Sequence, residues 1–250
     1  MEFGFLFLAF TAIFAVYFYF RSPTVKGAMG EARVTSRLKS ALNPNEYVIL
    51  NDLTLPTNGG TTQIDHIVVS QFGIFVVETK NMKGWIFGGE RQARWTQTLR
   101  RHKSQFQNPL RQNFKHVKTV QELLSLRAVD IHNVVVFVGS AQPKTDMPNN
   151  VLWSARELAD YVKARRMSVF SQDQVTDFVE KLRHTALVAN RATRTAHVRG
   201  LRKQVVAKEG DKTKCPRCGS SMAERTNKKT GDKFLGCSKF PGCKGTRQHV

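Results

Sequence analysis

The stretch QIDHIVVSQFGIFVVETKN, residues 63–81, sets two carboxylates and an amine into runs of apolar, β-branched residues. Side chains alternate along a strand, so Glu78 and Lys80 share one face two residues apart. Asp65 arrives on the preceding run, and a hairpin through Ser70–Gly73 would bring it alongside. Two convergent carboxylates form a hard oxygen site suited to Mg²⁺, or Mn²⁺ in its place; Mg²⁺ takes one or two protein carboxylates and keeps several waters. A neighbouring lysine orients or helps to deprotonate a bound water and stabilises charge developing on a phosphate. The set therefore suits hydrolysis of a phosphodiester. The competing account is a buried Glu78–Lys80 or Asp65–Lys80 ion pair that only orders the sheet. Ser/His/Asp chemistry fits less well. His66 adjoins Asp65, but neighbours on a strand point to opposite faces, and no nucleophile elbow is present.

A second constellation lies at the other end. All four cysteines, Cys215, Cys218, Cys237 and Cys243, fall in the pattern C-x₂-C, an 18-residue spacer, then C-x₅-C. Four thiolates bind Zn²⁺ tetrahedrally, and the spacer is long enough for a hairpin, so the unit reads as a zinc ribbon. Its spacing sets it apart from a disulfide scaffold or a lone redox C-P-R-C motif. Phe234 and Phe240 offer stacking surfaces for bases among Arg217, Lys233, Lys239 and Lys244, unless either ring fills the ribbon's small core.

Several elements must position these residues. GAMGEARVTSRLKSAL opens a helix whose Val34, Leu38 and Leu42 face a core. Glu31 points toward the same side, where a carboxylate is costly unless paired or bound; capping the helix's first turn is the alternative. Strand patterns follow at 47–50, 62–69 and 73–81, with short edge strands expected at Trp85–Phe87 and Arg94–Thr96. A long helical pattern runs through Phe106, Leu110, Phe114, Val117, Gln121 and Leu124. VVVFV, residues 134–138, has the continuous apolarity of a central strand. Capping boxes at Ser154/Glu157 and Ser171/Gln174 open two more helices. The order implies an α/β domain over 27–185 with a mixed sheet, a basic linker over 186–213 and the ribbon over 214–247.

GAMGE, QIDHIVVSQFGIFVVETKN and NPLRQN together resemble the successive motifs of the nuclease-related domain (NERD) family. That family is similar to the wider PD-(D/E)xK restriction-endonuclease-like group, and the resemblance covers roughly residues 27–140. It implies a restriction-endonuclease-like mixed sheet flanked by helices. It implies that Glu31 is the helix-borne glutamate, Asp65 the metal-binding aspartate, and Glu78 and Lys80 the E-x-K pair, a catalytic set for DNA cleavage. Gln112, in NPLRQN, either lines that site or lies on the helix surface. Residues 214–247 resemble the C-terminal zinc-ribbon modules of bacterial type I topoisomerases, which implies binding of single-stranded DNA.

Charge and hydropathy bound the rest. The formal net charge is +20, which favours polyanionic partners, nucleic acid or an anionic lipid surface. Residues 199–247 hold 14 Lys/Arg against 4 Asp/Glu, so half of the excess lies in the last fifth of the chain. Residues 3–20, FGFLFLAFTAIFAVYFYF, carry no charge and as a helix would extend about 27 Å, near the hydrocarbon thickness of a bilayer. Glu2 in front and bulky YFYF behind favour an uncleaved transmembrane helix over a secretory signal. Arg21, Lys26 and the basic remainder place the N-terminus outside and the main domains in the cytoplasm, a single pass through the inner membrane. The expectation is a membrane-anchored, Mg²⁺-dependent nuclease-like enzyme with Zn²⁺ in its ribbon; the alternative is a non-catalytic DNA-binding protein tethered to the bilayer.

Overall fold

The structure, a computed structural model, describes residues 22–187, 214–227 and 231–248. The apolar run at 3–20 and nearly all of the linker at 186–213 lie outside the described residues. Among the described residues no helix is long and apolar enough to cross a membrane. The chain divides into two compact units between Thr193 and Arg194.

In the first unit, helix α1 (Pro23–Ala41) begins at Ser22, whose side chain accepts the Val25 N–H, with Pro23 in the first turn where its missing donor is harmless. Val34, Leu38 and Leu42 are buried as expected. Strands β1 (Tyr47–Thr57), β2 (Gly60–Ser70), β3 (Gly73–Phe87), β4 (Arg94–Leu99) and β5 (His102–Gln107) follow as an antiparallel meander. Helix α2 (Pro109–Leu124) then crosses to β6 (Ile131–Pro143), which runs parallel to β3. The short β7 (Val151–Leu152) extends the parallel edge, before helices α3 (Ala155–Lys163) and α4 (Gln172–Thr185). The result is one seven-stranded mixed sheet between two helical layers.

Strand alternation sorts the core into those layers. Ile67, Val69, Ile74 and Val76 pack against Val117 and Val120 of α2 and Val179 of α4. Val68, Phe75 and Val77 pack against Val34 and Leu38 of α1 and Leu158 of α3. A third cluster, around Trp95, Phe137 and Leu110, fills the end where β4 and β5 lie.

The observed boundaries correct several expectations. Trp85–Phe87 is the far end of β3 and pairs with β4 rather than forming its own edge strand. Gly84 permits this. It has φ 81°, and a Cβ there would sit 2.4 Å from the Thr98 carbonyl. The helical pattern does not extend back to Phe106, which lies in β5 and packs its ring on Trp95. Helix α2 starts only at its cap, Asn108, and Phe114 turns out to solvent. Strand β5 carried no periodic apolar signal because it is an edge strand with nearly every side chain exposed. The box at Ser171/Gln174 forms completely. At Ser154 the hydroxyl takes the Glu157 N–H, while the Glu157 carboxylate turns to the Trp153 N–H.

The second unit is a three-stranded antiparallel sheet, in the order β10 (Thr246–Gln248), β9 (Lys233–Cys237), β8 (Met222–Thr226).

Gly30 sets how closely α1 approaches the sheet. A Cβ there would lie 2.8 Å from Asn81 Cβ and 3.2 Å from Val138 Cγ2, so added carbon must push helix and strands apart. Gly30→Ala is expected to cost about 1–3 kcal/mol in denaturant unfolding. Gly27→Ala meets only the Glu31 carboxylate at 3.8 Å and should be neutral or gain up to about 1 kcal/mol. Equal effects at the two glycines would refute this packing.

Candidate functional site

The sheet splits at the middle of β3. On one edge β6 accompanies β3 from Ile74 to Ile86. On the other, β2 pairs with it only as far as Val77, and β4 begins only at Trp85. From Glu78 to Gly84 that edge has no strand beside it, and its backbone groups must find other partners. The Thr79 N–H donates to Asp65 Oδ2 at 2.7 Å. The register pairing His66 with Val77 sets Asp65 opposite Glu78, so both carboxylates lie on one side of the sheet.

Helix α2 closes over Glu78. Lys80 Nζ donates to Glu78 Oε1 at 2.5 Å and to Gln112 Oε1 at 3.0 Å, while Gln112 Nε2 donates to the same Glu78 Oε1 at 2.7 Å. His116 Nε2 lies 3.4 Å from Glu78 Oε2, an ion-pair distance without hydrogen-bond alignment, and its Nδ1 is 2.7 Å from Thr62 Oγ1. Gln112 therefore lines the site rather than the helix surface. His116 escaped the sequence reading, although it sits one helical turn beyond Gln112 and so on the same face.

The NPLRQN motif acts as a brace. Asn108 Oδ1 caps the helix by accepting the Leu110 N–H at 2.9 Å. Its amide also donates to the carbonyls of Gly89, Glu90 and Gln92, tying the loop before β4 to the start of α2. Asn113 donates to the Val76 and Val134 carbonyls, locking the helix across β3 and β6. Helix α1 is fixed on the other face, where Asn81 Nδ2 donates to the Lys26 carbonyl at 2.7 Å and Gly30 allows the close approach. This brings Glu31 near enough for its charge to act on Asp65.

Electrostatics distinguish the half-buried Asp65 from the buried Glu78. Burial pushes the Asp65 carboxyl well above its usual range, and the charges of Glu78 and Glu31 push it further, against the Thr79 N–H and Lys80. Burial also opposes ionisation of Glu78, but the imidazole of His116 and the ammonium of Lys80 outweigh it and hold its pKa low. Asp65 thus lies within reach of the repulsion of Glu78 and Glu31, which a divalent cation at Asp65 would relieve. Asp65 and Glu78 supply the two oxygen donors that Mg²⁺ typically takes from protein. In number and type the two carboxylates suit such an ion, while Glu78 Oε1 already accepts from Lys80 and Gln112 and Oε2 faces His116.

His66, on the opposite face, is structural. Its Nδ1–H donates to Asn51 Oδ1 at 2.9 Å and its Nε2 accepts from Thr79 Oγ1 at 3.1 Å. Both bonds suit the neutral ring, and burial lowers its pKa to about 4.

In the ribbon, Sγ atoms of Cys215 and Cys243 lie 3.7 Å apart, and those of Cys218 and Cys237 lie 3.5 Å apart. Zn–S bonds of about 2.3 Å at tetrahedral angles require sulfur separations of about 3.8 Å. Among the described residues these four form the only group of three or more His, Cys, Asp or Glu whose ligand atoms all lie within 4.8 Å. At Gly245 a Cβ would sit 2.3 Å from Cys215 Sγ, so a side chain there would strike a ligand. Phe240 is 55% exposed beneath the Arg225 guanidinium, 5.2 Å from its centroid. Phe234 is half-buried, and Arg217, Lys239 and Lys244 are exposed. Lys233 Nζ pairs with Glu224 at 2.7 Å, so its charge is partly neutralised.

Residues 26–138 match the nuclease-related domain family, and residues 212–250 match the topoisomerase DNA-binding C4 zinc finger. The chain is 39% identical over 172 residues to an uncharacterised protein of Bacillus anthracis, a match covering 67% of this chain and 78% of that one. It is also 53% identical over 30 residues to DNA topoisomerase 1 of Pyrococcus horikoshii, 12% of this chain and 4% of that enzyme. No solved structure matches. The chain belongs to the nuclease-related domain family and carries a topoisomerase-type four-cysteine zinc ribbon.

The Asp65 pKa carries a stability consequence. A carboxyl raised in the fold stabilises it fully below its ordinary value of 3.8, and that contribution is lost as pH rises through the folded value. At neutral pH a carboxyl raised in this way is a burden on the fold. Asp65→Asn keeps an acceptor for the Thr79 N–H and is expected to raise the urea midpoint at pH 7 without divalent cations. The advantage should shrink below about pH 4, where wild-type Asp65 is neutral as well. A variant less stable at pH 7 would show that Asp65 is not strained.

Proposed function

We propose that the chain is a membrane-anchored, metal-dependent nuclease that hydrolyses DNA phosphodiesters, with the zinc ribbon holding the substrate. The observation that carries this reading is the pair of carboxylates, half-buried Asp65 and buried Glu78, on one side of the split sheet with Lys80 bonded to Glu78. A structural ion pair needs one acid and one base. This site holds Asp65 as a second acid, kept in place despite burial and repulsion. Asp65 and Glu78 would hold the cation, Mg²⁺ or Mn²⁺, whose chemistry is to polarise the phosphate and lower the pKa of a bound water. Lys80 is placed to orient the attacking water and to stabilise charge on the phosphate. Gln112 and His116 position Glu78 and Lys80. Glu31 adds negative charge from α1, which favours a cation at Asp65.

The ribbon would raise the local concentration of DNA at the hydrolytic site by tethering it on the same chain. Residues 3–20 are the proposed anchor, with the N-terminus outside and the main domains cytoplasmic. The competing reading is a non-catalytic DNA-binding protein, favoured by the saturation of Glu78 with protein partners.

Nicking of supercoiled DNA by the full chain in detergent, with and without Mg²⁺, separates the two. Glu78→Ala and Lys80→Ala should each lower the Mg²⁺-dependent rate by about 10²- to 10³-fold while leaving DNA affinity unchanged. Wild-type rates in both variants would leave only the binding role. The topology is tested by protease added to intact spheroplasts, which should leave the ribbon uncut until the membrane is permeabilised. Digestion before permeabilisation would reverse it.

A further inference from the structure

Beyond the split, the far end of β3 and the β4–β5 hairpin form a sheet extension with two unlike faces. One is buried, with Ile86 and Trp95 fully covered. The other displays Trp85, 50% exposed, with Lys144 Nζ 5.0 Å from its ring centroid. The register sets Trp85 opposite Thr98 and Thr98 opposite Lys103, one row across three strands. Arg94 lies further along that face, and Arg100 and Arg101 form the exposed turn. Residues 91–107 contain five Lys/Arg and no Asp/Glu, so nothing within the hairpin neutralises this charge.

An aromatic face set among unneutralised cations matches the chemistry of an unpaired nucleic-acid strand: a base to stack and phosphates to neutralise. Duplex offers no free base face to Trp85. We propose that this face binds single-stranded nucleic acid, with Trp85 as the stacking platform and Lys103, Lys144, Arg94 and the Arg100–Arg101 turn along the backbone. Trp85 lies six residues from Thr79, roughly 20 Å along β3 at about 3.3 Å per residue. Strand alternation puts Trp85 on the face of β3 opposite Glu78 and Lys80, so a strand held there meets the carboxylates only around the open edge of β3 between Val77 and Trp85. The proposal rests on the nuclease reading for its purpose, and adds to it a contact for single-stranded nucleic acid on the opposite face of the same sheet.

The test uses tryptophan emission, because Trp85, Trp95 and Trp153 all lie in the nuclease-like unit and the ribbon has none. The full chain in detergent, without added Mg²⁺, is titrated with a short oligothymidylate and with an abasic strand of equal length. Oligothymidylate should quench the emission, the abasic strand should not, and Trp85→Phe should abolish the quench at an unchanged melting temperature. The double variant Arg101→Glu/Lys103→Glu, altered only at exposed positions, should shift the quench midpoint about tenfold higher. It should also reduce the log–log salt slope by about two. No quench in wild type, a quench surviving in Trp85→Phe, or equal quenching by the abasic strand would overturn the proposal. Glu78→Ala should retain the quench. A normal quench without cleavage in wild type would sink the hydrolytic reading alone, and cleavage without a quench would sink this surface alone.

Discussion

Two carboxylates held close together repel each other when both are ionised, and the fold around Asp65 and Glu78 imposes that repulsion. The device is a change of partner along β3. Strand β2 leaves after Val77 and β4 joins at Trp85, so the intervening edge is open just where Asp65 and Glu78 face each other. A continuous ladder would have satisfied the Thr79 N–H with a carbonyl. The split hands that donor to Asp65, which anchors a carboxylate that burial would otherwise disfavour.

The surrounding elements serve that opening. Helix α2 is pinned at its start by Asn108 and along its length by Asn113, and so Gln112 and His116 meet Glu78 without freedom to drift. Helix α1 is drawn against the other face by Gly30. Core packing positions both helices, since Val117 and Val120 of α2 and Val34 and Leu38 of α1 are buried in opposite layers of the same sheet. The two acids end in unequal states. Glu78, surrounded by donors, is held ionised, whereas Asp65, short of cations, is held toward neutrality. That inequality is what a bound divalent cation would remove.

The ribbon solves a different problem. A unit this small cannot bury a core of its own, and four converging sulfurs stand in for one. Its sheet carries Cys237 at the end of β9, while turns deliver Cys215, Cys218 and Cys243. Most of its surface is thereby left for charge and for the exposed ring of Phe240.

Much of this was legible in the sequence, because it rests on local physics. Alternation placed Glu78 beside Lys80, cysteine spacing announced the ribbon, apolar periodicity marked Val34, Leu38 and Leu42, and Ser171 with Gln174 marked a helix start. The misses have equally physical causes. Strand β5 is an exposed edge with no buried face to write a period, and Phe106 extended a helical pattern by coincidence until Asn108 capped the helix behind it. Only tertiary structure decided that β2 and β4 share one edge of β3 with a gap between them. It alone brought His116 and Gln112, more than thirty residues away, onto Glu78. Composition and spacing determine which groups a chain carries and which neighbours share a face, whereas a departing strand is a long-range pairing choice that leaves no periodic trace.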